Sequence, residues 1–349
     1  MIRLSARLFS AVALVALAVP ASQSFAQTQV PAAPAQGPAA PPQGPAAQMP
    51  ASPAVQVPPV APKPQAPVFP KPNPANFTAT TPTADTVNAF LQANWGYDPN
   101  RMWQVQAILK TQVQGLSKVV VFVGDKTGKQ RPQALEFFVL PDGKHIITGD
   151  QIVAFGAHPF ADLRAELQQR ANGPSRGAAS KDLELVEFAD MQCPHCKEAQ
   201  PIMDKLVTDF PKAHIVFQND PIPSLHPEAE RAAEYGVCVA KAAGDPAFFQ
   251  FAAAVFEGQD GLGTPDGATL TLNSAVTKAG QDPTKIAACA AQPQTKAEVE
   301  ASRTLASDIG INEVPTLVVN GREVPVNIPY DTLKQIIEYQ AKLDGVALQ

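Results

Sequence analysis

Cys193-Pro194-His195-Cys196 sets two thiols two residues apart, where an apolar, strand-like run over 183–189 gives way to a helix-like stretch. Two sulfurs at that spacing can close a small disulfide ring. At a helix start the first sulfur faces unpaired backbone amides, which favour its thiolate. The thiolate is the form that attacks a disulfide, and a depressed pKa also makes it a good leaving group. The chemistry predicted is thiol–disulfide exchange, with Cys193 the reactive sulfur and Cys196 its partner. His195 lies between them, where its ring can direct a hydrogen bond or a positive charge at the Cys193 sulfur and stabilise the reduced form. A Cys-x-x-Cys pair is also half of a zinc site, but that needs two further ligands at suitable spacing. Cys238 and Cys289 are distant and differently set, so redox chemistry is favoured over metal binding.

The element after the motif must be a helix. Pro194 suits the first helical position, where a missing amide hydrogen costs nothing, and Ala199, Ile202, Met203, Leu206, Val207 and Phe210 recur three and four apart. One face of this helix is therefore core.

Val186-Glu187-Phe188 followed by Cys193-Pro194-His195-Cys196 resembles the thioredoxin-fold disulfide oxidoreductases of the DsbA family, whose periplasmic oxidase carries the same tetrad. Glu187, six residues before Cys193, matches that family's buried glutamate, and Pro201 is similar to the proline in the active-site helix of thioredoxin itself. Alternation puts Glu187 on the strand face of Leu183 and Leu185, where a buried carboxylate with a raised pKa could exchange a proton with Cys196. A solvated strand residue is the alternative.

The resemblance covers 181–349 and implies an α/β, thioredoxin-like fold with an inserted helical subdomain at about 224–310. A second strand is expected at 214–220. Helices are expected from Ser224 through Ala243, and from Pro246 with Phe248, Phe249, Phe251, Val255 and Phe256 on it. Val314-Pro315 precedes the strand Leu317-Val318-Val319, and Asn320-Gly321 is a hairpin turn signal. The resemblance implies a cis bond at Pro315, beside the active-site cysteines, where extended substrate pairs with the backbone. Valine at 314, rather than the threonine of isomerase relatives, favours an oxidase. A last helix is expected over 330–343, with Leu333, Ile336 and Ile337 on its buried face.

Four cysteines in an exported chain are naturally two pairs, and pairing the motif internally leaves Cys238 with Cys289, although sequence alone permits three pairings. In the resemblance such helical cysteines are structural. It calls for no cofactor or metal, and for unfolded or reduced exported proteins as substrates. It further implies a membrane quinone-linked reoxidase of the DsbB or a related type as the partner that recharges the pair.

The chain has 349 residues, enough for two domains, and 36 prolines, of which 16 fall between Pro31 and Pro74. Residues 1–26 read as a cleavable export signal, with Arg3 and Arg7 ahead of an apolar run over 8–19 and small residues at Ser24 and Ala26. Cleavage there would take the net charge from −5 to about −7 and place the protein in an oxidising, periplasmic or other exported compartment. Residues 27–83 are rich in Pro, Ala and Gln, with no acidic residue before Asp85, a composition that reads as a disordered linker. A small α+β domain is expected over 84–172. It starts with a helix capped by Thr83 and a second helical stretch after Pro99 carrying Trp103, Val105, Ile108 and Leu109. Strands follow over 119–123, 134–140 and 144–148, then a helix over 159–170. The stretch 138–149 loosely resembles the small domain of DsbC-type isomerases, which implies a homodimer through this unit, with a monomeric positioning role as the alternative. The chain lacks a basic stripe with interleaved aromatics, which argues against nucleic acid as a partner.

Together these features point to a disulfide donor. A dimeric isomerase or reductase, or a non-catalytic envelope binding module, are its alternatives.

Overall fold

Thr83 accepts the amide of Thr86 at 3.1 Å and so caps helix α1 (Ala84–Trp95), whose Val87, Phe90 and Leu91 are buried. The computed structural model describes residues 69–128, 131–149 and 151–348. The signal expected over 1–26, and the part of the linker before residue 69, lie outside them. The described residues all belong to one compact unit, Pro62–Gln349.

Against α1 lies an antiparallel meander of five strands in sequential order: β1 (Arg101–Lys110), β2 (Ser117–Asp125), β3 (Gln133–Val139), β4 (His145–Thr148) and β5 (Gln151–Ala154). Residues 101–110 are thus a strand and not the expected helix. The register shifts between Val105 and Ala107, which makes Gln106 an extra residue opposite β2. That bulge turns both Val105 and Ile108 into the core, three residues apart, and imitates a helical period in the sequence. The strand β5 is an element beyond those the sequence pattern predicts. The turn before β4 follows from Asp142, whose Oδ1 accepts the amides of Lys144 (2.8 Å) and His145 (3.1 Å) while Gly143 takes a positive φ of 66°.

The second sheet has the order β10-β9-β7-β8-β6, built from β6 (Ser175–Gly177), β7 (Glu184–Ala189), β8 (His214–Asn219), β9 (Thr316–Val319) and β10 (Arg322–Val324). Only β7 and β8 are parallel, and helix α3 (Pro194–Asp209) crosses between them. On one side of the sheet α3 and α9 (Tyr330–Leu343) bury Met203, Leu206, Leu333 and Ile337 against Leu185, Ile215 and Leu317. On the other, α2 (Ala161–Arg170) places Leu167 in a cluster with Val186, Phe188 and Val216. With both faces covered, every residue of β7 is buried.

Between β8 and β9 come five helices: α4 (Ala229–Ala243), α5 (Asp245–Glu257), α6 (Pro265–Lys278), α7 (Pro283–Ala290) and α8 (Pro293–Asp308). Four of them begin with proline in their first two positions, where the lost amide has no intrahelical partner. Helix α4 starts at Ala229 and not at Ser224, because residues 222–226 form a turn in which the amides of Leu225 and His226 bond the carbonyl of Ile222. Pro227, without an amide hydrogen, follows that turn. A disulfide joins Cys238 on α4 to Cys289 on α7, with Cα atoms 6.0 Å apart.

The meander is tied to the second sheet through Arg322. Its guanidinium donates to the carbonyls of Ala93 and Asn94 at the end of α1, donates to Gln340, and lies 4.2 Å over the Phe160 ring. Burial lowers its pKa to about 10. Among the described residues, no helix is long and apolar enough to cross a membrane.

Candidate active site

Cys193 is the N-cap residue of α3, and Pro194 opens the helix. Both cysteines are free thiols. Cys193 is 5 % exposed and Cys196 fully buried. The Cys196 side chain hydrogen-bonds the Cys193 sulfur, the backbone amides of Cys196 and His195 add to this, and together they overcome burial to bring the Cys193 pKa down to about 6. The same bond, and then burial, push Cys196 above the ordinary thiol range. At neutral pH one sulfur is therefore a thiolate and the other holds its proton. The pair is suited to directional exchange, in which Cys193 attacks or is attacked and Cys196 stays sheltered.

The expected neighbours fall in three places. Glu187 on β7 is 2 % exposed and accepts from Gln200 Nε2 at 2.8 Å. Burial pushes its carboxyl up to about 7, and it lies near enough to Cys196 to raise that thiol in turn. The Val314–Pro315 peptide is cis, and Val314 O lies 3.9 Å from Cys193 Sγ, in reach of the reactive sulfur. The His195 ring, in contrast, is turned outward. Its side chain is 77 % exposed, and Nδ1 pairs with Glu198 Oε2 at 3.1 Å, a contact that raises the imidazole's pKa. One helical turn separates His195 from Glu198, and the ring takes that exposed i, i+3 partner while its backbone amide serves Cys193. Cys238 and Cys289 sit apart, inside the helical insertion.

Beside the thiols runs a groove of about 400 Å³ lined by His195, Glu198, Ile202, Val314, Pro315 and Val326. It joins the tetrad to the loop before β9 and offers apolar surface next to the reactive sulfur.

Three residues outside the sequence reading hold the loop before the tetrad. Gln259 is buried and donates to the carbonyls of Met191 and Cys193, each at 3.0 Å. Gln192 donates to Leu262 O at 3.0 Å and accepts the Glu228 amide at 2.8 Å. Asp190, 1 % exposed, accepts from the amides of Gln192 and Ile222 and from His226 Nδ1. Gln259 and His226, some 30 to 70 positions from the motif, carry no local pattern, so only Asp190 and Gln192, between β7 and Cys193, are open to suspicion from sequence.

Residues 169–339 match the family model described as thioredoxin. That stretch is a thioredoxin-family domain. Solved structures similar to the chain include ScsC of Proteus mirabilis in a transitional conformation, at 22 % identity over 52 % of this chain and 79 % of that one, with a TM-score of 0.44. A periplasmic thioredoxin-like protein from Salmonella enterica serovar Typhimurium is 21 % identical over 52 % of this chain and 96 % of that one, also at 0.44. DsbA2 of Pseudomonas aeruginosa is 25 % identical over 49 % and 96 %, at 0.41. Among curated proteins, the Na(+)/H(+) antiporter NhaA 1 of Salinispora arenicola is 38 % identical over 74 residues, 21 % of this chain. The chain spans about a tenth of the length of that relative, the matched part being 11 % of it. The thioredoxin-family domain thus contains the tetrad, Glu187, Val314 and Pro315, and the whole helical insertion.

Proposed function

We propose that the protein is an exported thiol:disulfide oxidoreductase that donates disulfides to reduced exported proteins through Cys193 and Cys196. The observation that carries this is the split between the two sulfurs, with Cys193 at about 6 on the helix end and Cys196 raised beneath it. Stabilising the Cys193 thiolate favours the reduced form and so shifts the pair in the oxidising direction.

In the forward reaction a substrate thiolate attacks Cys193 Sγ of the oxidised pair. A mixed disulfide forms, the Cys193–Cys196 bond breaks, and Cys196 leaves as a thiolate. Glu187, half-protonated near neutral pH, supplies the proton that Cys196 takes up. A second substrate thiolate then attacks the substrate sulfur of the mixed disulfide, the substrate disulfide closes, and Cys193 departs as its stabilised thiolate. Two electrons have moved from substrate to the protein. A membrane quinone-linked reoxidase removes them, and no cofactor is needed within the chain. The groove along Val314 and Pro315 receives the extended substrate segment. The signal over 1–26 delivers the protein to the periplasm or another exported compartment.

The test is the reduction potential of Cys193 and Cys196, measured on the signal-free protein equilibrated with glutathione buffers. A value near about −120 mV supports the donor reading, whereas one near about −270 mV would reverse the direction of electron flow and overturn it.

A further inference from the structure

The buried carboxyl of Glu187 takes its hydrogen bond from Gln200, a half-buried residue on α3 one turn after Cys196. The side chain of Gln200 donates twice through Nε2, to Glu187 Oε1 at 2.8 Å and to the backbone carbonyl of Cys196 at 3.1 Å. Among the described residues it is the one side chain that hydrogen-bonds this carboxyl. A single amide group thus ties the carboxyl on β7 to the backbone of the sheltered cysteine.

The second contact decides what the first can be. A side-chain amide has an oxygen that only accepts and a nitrogen that only donates, and turning the group over exchanges them. A backbone carbonyl accepts as well. With the amide oxygen turned toward the Cys196 carbonyl, two acceptors would face each other unpaired, so the nitrogen must lie there. The same nitrogen faces Glu187, where it can give a hydrogen but take none. Such a donor favours the charged carboxylate, and when Glu187 is protonated its hydrogen is left to the other oxygen, Oε2.

We propose that Gln200 is a positioning residue for the exchange chemistry, pinning the Glu187 carboxyl to the Cys196 end of α3 and keeping it able to ionise. The other ionisable groups around Glu187 are Cys196 and Asp204 of α3 and Arg176 of β6. Arg176 and Asp204 act on the carboxyl in opposite directions and are paired with each other at 2.6 Å. Burial raises the carboxyl most, and the Gln200 bond is the largest influence against it.

The inference rests on the oxidoreductase reading above, in which Glu187 gives a proton to the departing Cys196, and it adds the return step. When oxidised glutathione recharges the pair, the Cys193 thiolate attacks one glutathione sulfur, expels the other as a thiolate and is left in a mixed disulfide. Cys196 then passes its proton to the Glu187 carboxylate and attacks the Cys193 sulfur. The Cys193–Cys196 bond closes and the second glutathione departs as a thiolate, so that two electrons have moved from the protein to glutathione. A carboxyl locked in its protonated form could not take that proton.

The deciding experiment follows the carboxyl carbon of Glu187 by NMR against pH in the reduced, full-length mature protein, with Glu187→Gln to assign the signal. Gln200→Met keeps the length of the side chain without a donor, and Gln200→Lys keeps a donor. The expected result is a midpoint about 1 unit higher in Gln200→Met, and one at or below wild type in Gln200→Lys. The ionised fraction of Glu187 at pH 7 then falls about fivefold in Gln200→Met, and closure of the disulfide by oxidised glutathione slows by the same factor. A merely structural role would lower the melting temperature and leave the midpoint in place. An unchanged midpoint in folded Gln200→Met would overturn the proposal, as would a midpoint raised in Gln200→Lys as far as in Gln200→Met. If Gln200→Met does not fold, Gln200→Lys decides alone: a midpoint above wild type overturns the proposal, and one at or below it supports it. Failure of both to fold would make the residue structural and overturn it too. Disulfide transfer to a reduced peptide is measured in parallel. A wild-type protein that transfers nothing removes the oxidoreductase reading even with the midpoint shift intact, whereas transfer without the shift removes only the role of Gln200.

Discussion

The four cysteines form two pairs of opposite character within one thioredoxin-family domain. Cys193 and Cys196 are three positions apart across a helix start, so free amides and a neighbouring thiol converge on one sulfur. Cys238 and Cys289 are 51 residues apart on α4 and α7, inside helices whose amides are committed to backbone bonds, and Cys238 packs at 3.6 Å from the hydroxyl of buried Thr295. The Cys289 sulfur faces the same hydroxyl at 3.9 Å, and the two sulfurs are joined to each other. The lesson is that reactivity follows from asymmetry: a pair becomes an exchanger when its surroundings favour the charge on one sulfur and refuse it on the other.

This contrast can be broken by substitution. Cys193→Ser should abolish disulfide transfer entirely while leaving the fold intact, which transfer assays and circular dichroism would read together. The double variant Cys238→Ala, Cys289→Ala should do the reverse. It should transfer disulfides normally but lose up to about 4 kcal/mol of stability, the loop-entropy value for a crosslink of this span, seen by denaturant titration. A double variant without activity would mean that the second pair takes part in the chemistry.

Glu187 sharpens the comparison, since its buried carboxyl lies beside the Cys193 and Cys196 pair. Its folded pKa of about 7 lies above the ordinary glutamate value of 4.5, so the folded state binds more protons between those pH values. Stability from this group is full below about pH 4.5 and is lost as pH rises through 7. Glu187→Gln should therefore be the more stable protein above pH 8, by on the order of 3 kcal/mol, and should show slower proton uptake at Cys196. Equal pH profiles for the two proteins would place the carboxyl outside the titration.

Gln259→Leu leaves the carbonyls of Met191 and Cys193 without their donor and is expected to lose about 1 to 3 kcal/mol, with a faster opening of the motif loop in hydrogen exchange. The smallest effect should come from His195→Gln. With the ring 77 % exposed, the potential should move by no more than about 30 mV. A larger shift would show that the ring turns inward in solution and acts on Cys193 after all.

Much of this domain was legible in its sequence for a local reason. A tetrad at a helix start, a strand before it, Pro315 ahead of Leu317-Val318-Val319 and a turn at Asn320-Gly321 each signal through residues within a few positions of one another. Where local pattern misleads, the competing bonds are not written in the period. Val105 and Ile108 imitate a helix because of the bulge at Gln106 opposite β2, and Ser224 imitates a helix start although the amides of Leu225 and His226 close a turn on the Ile222 carbonyl.

By itself, then, the sequence determined which elements flank the two thiols of the tetrad and that residues 169–339 form a thioredoxin-like α/β unit. Those are consequences of backbone preference and of chemistry between near neighbours. Only the tertiary structure decided that His195 faces Glu198 and that Gln259 and His226 reach the motif loop from the helical insertion. It also decided that Arg322 fastens α1 to the second sheet. These contacts span between 36 and 229 positions, apart from the His195–Glu198 pair, where Glu198 lies three residues after His195 and Cys193 two before it. Buried polar groups must find hydrogen-bond partners wherever packing brings them, and that search is settled in three dimensions.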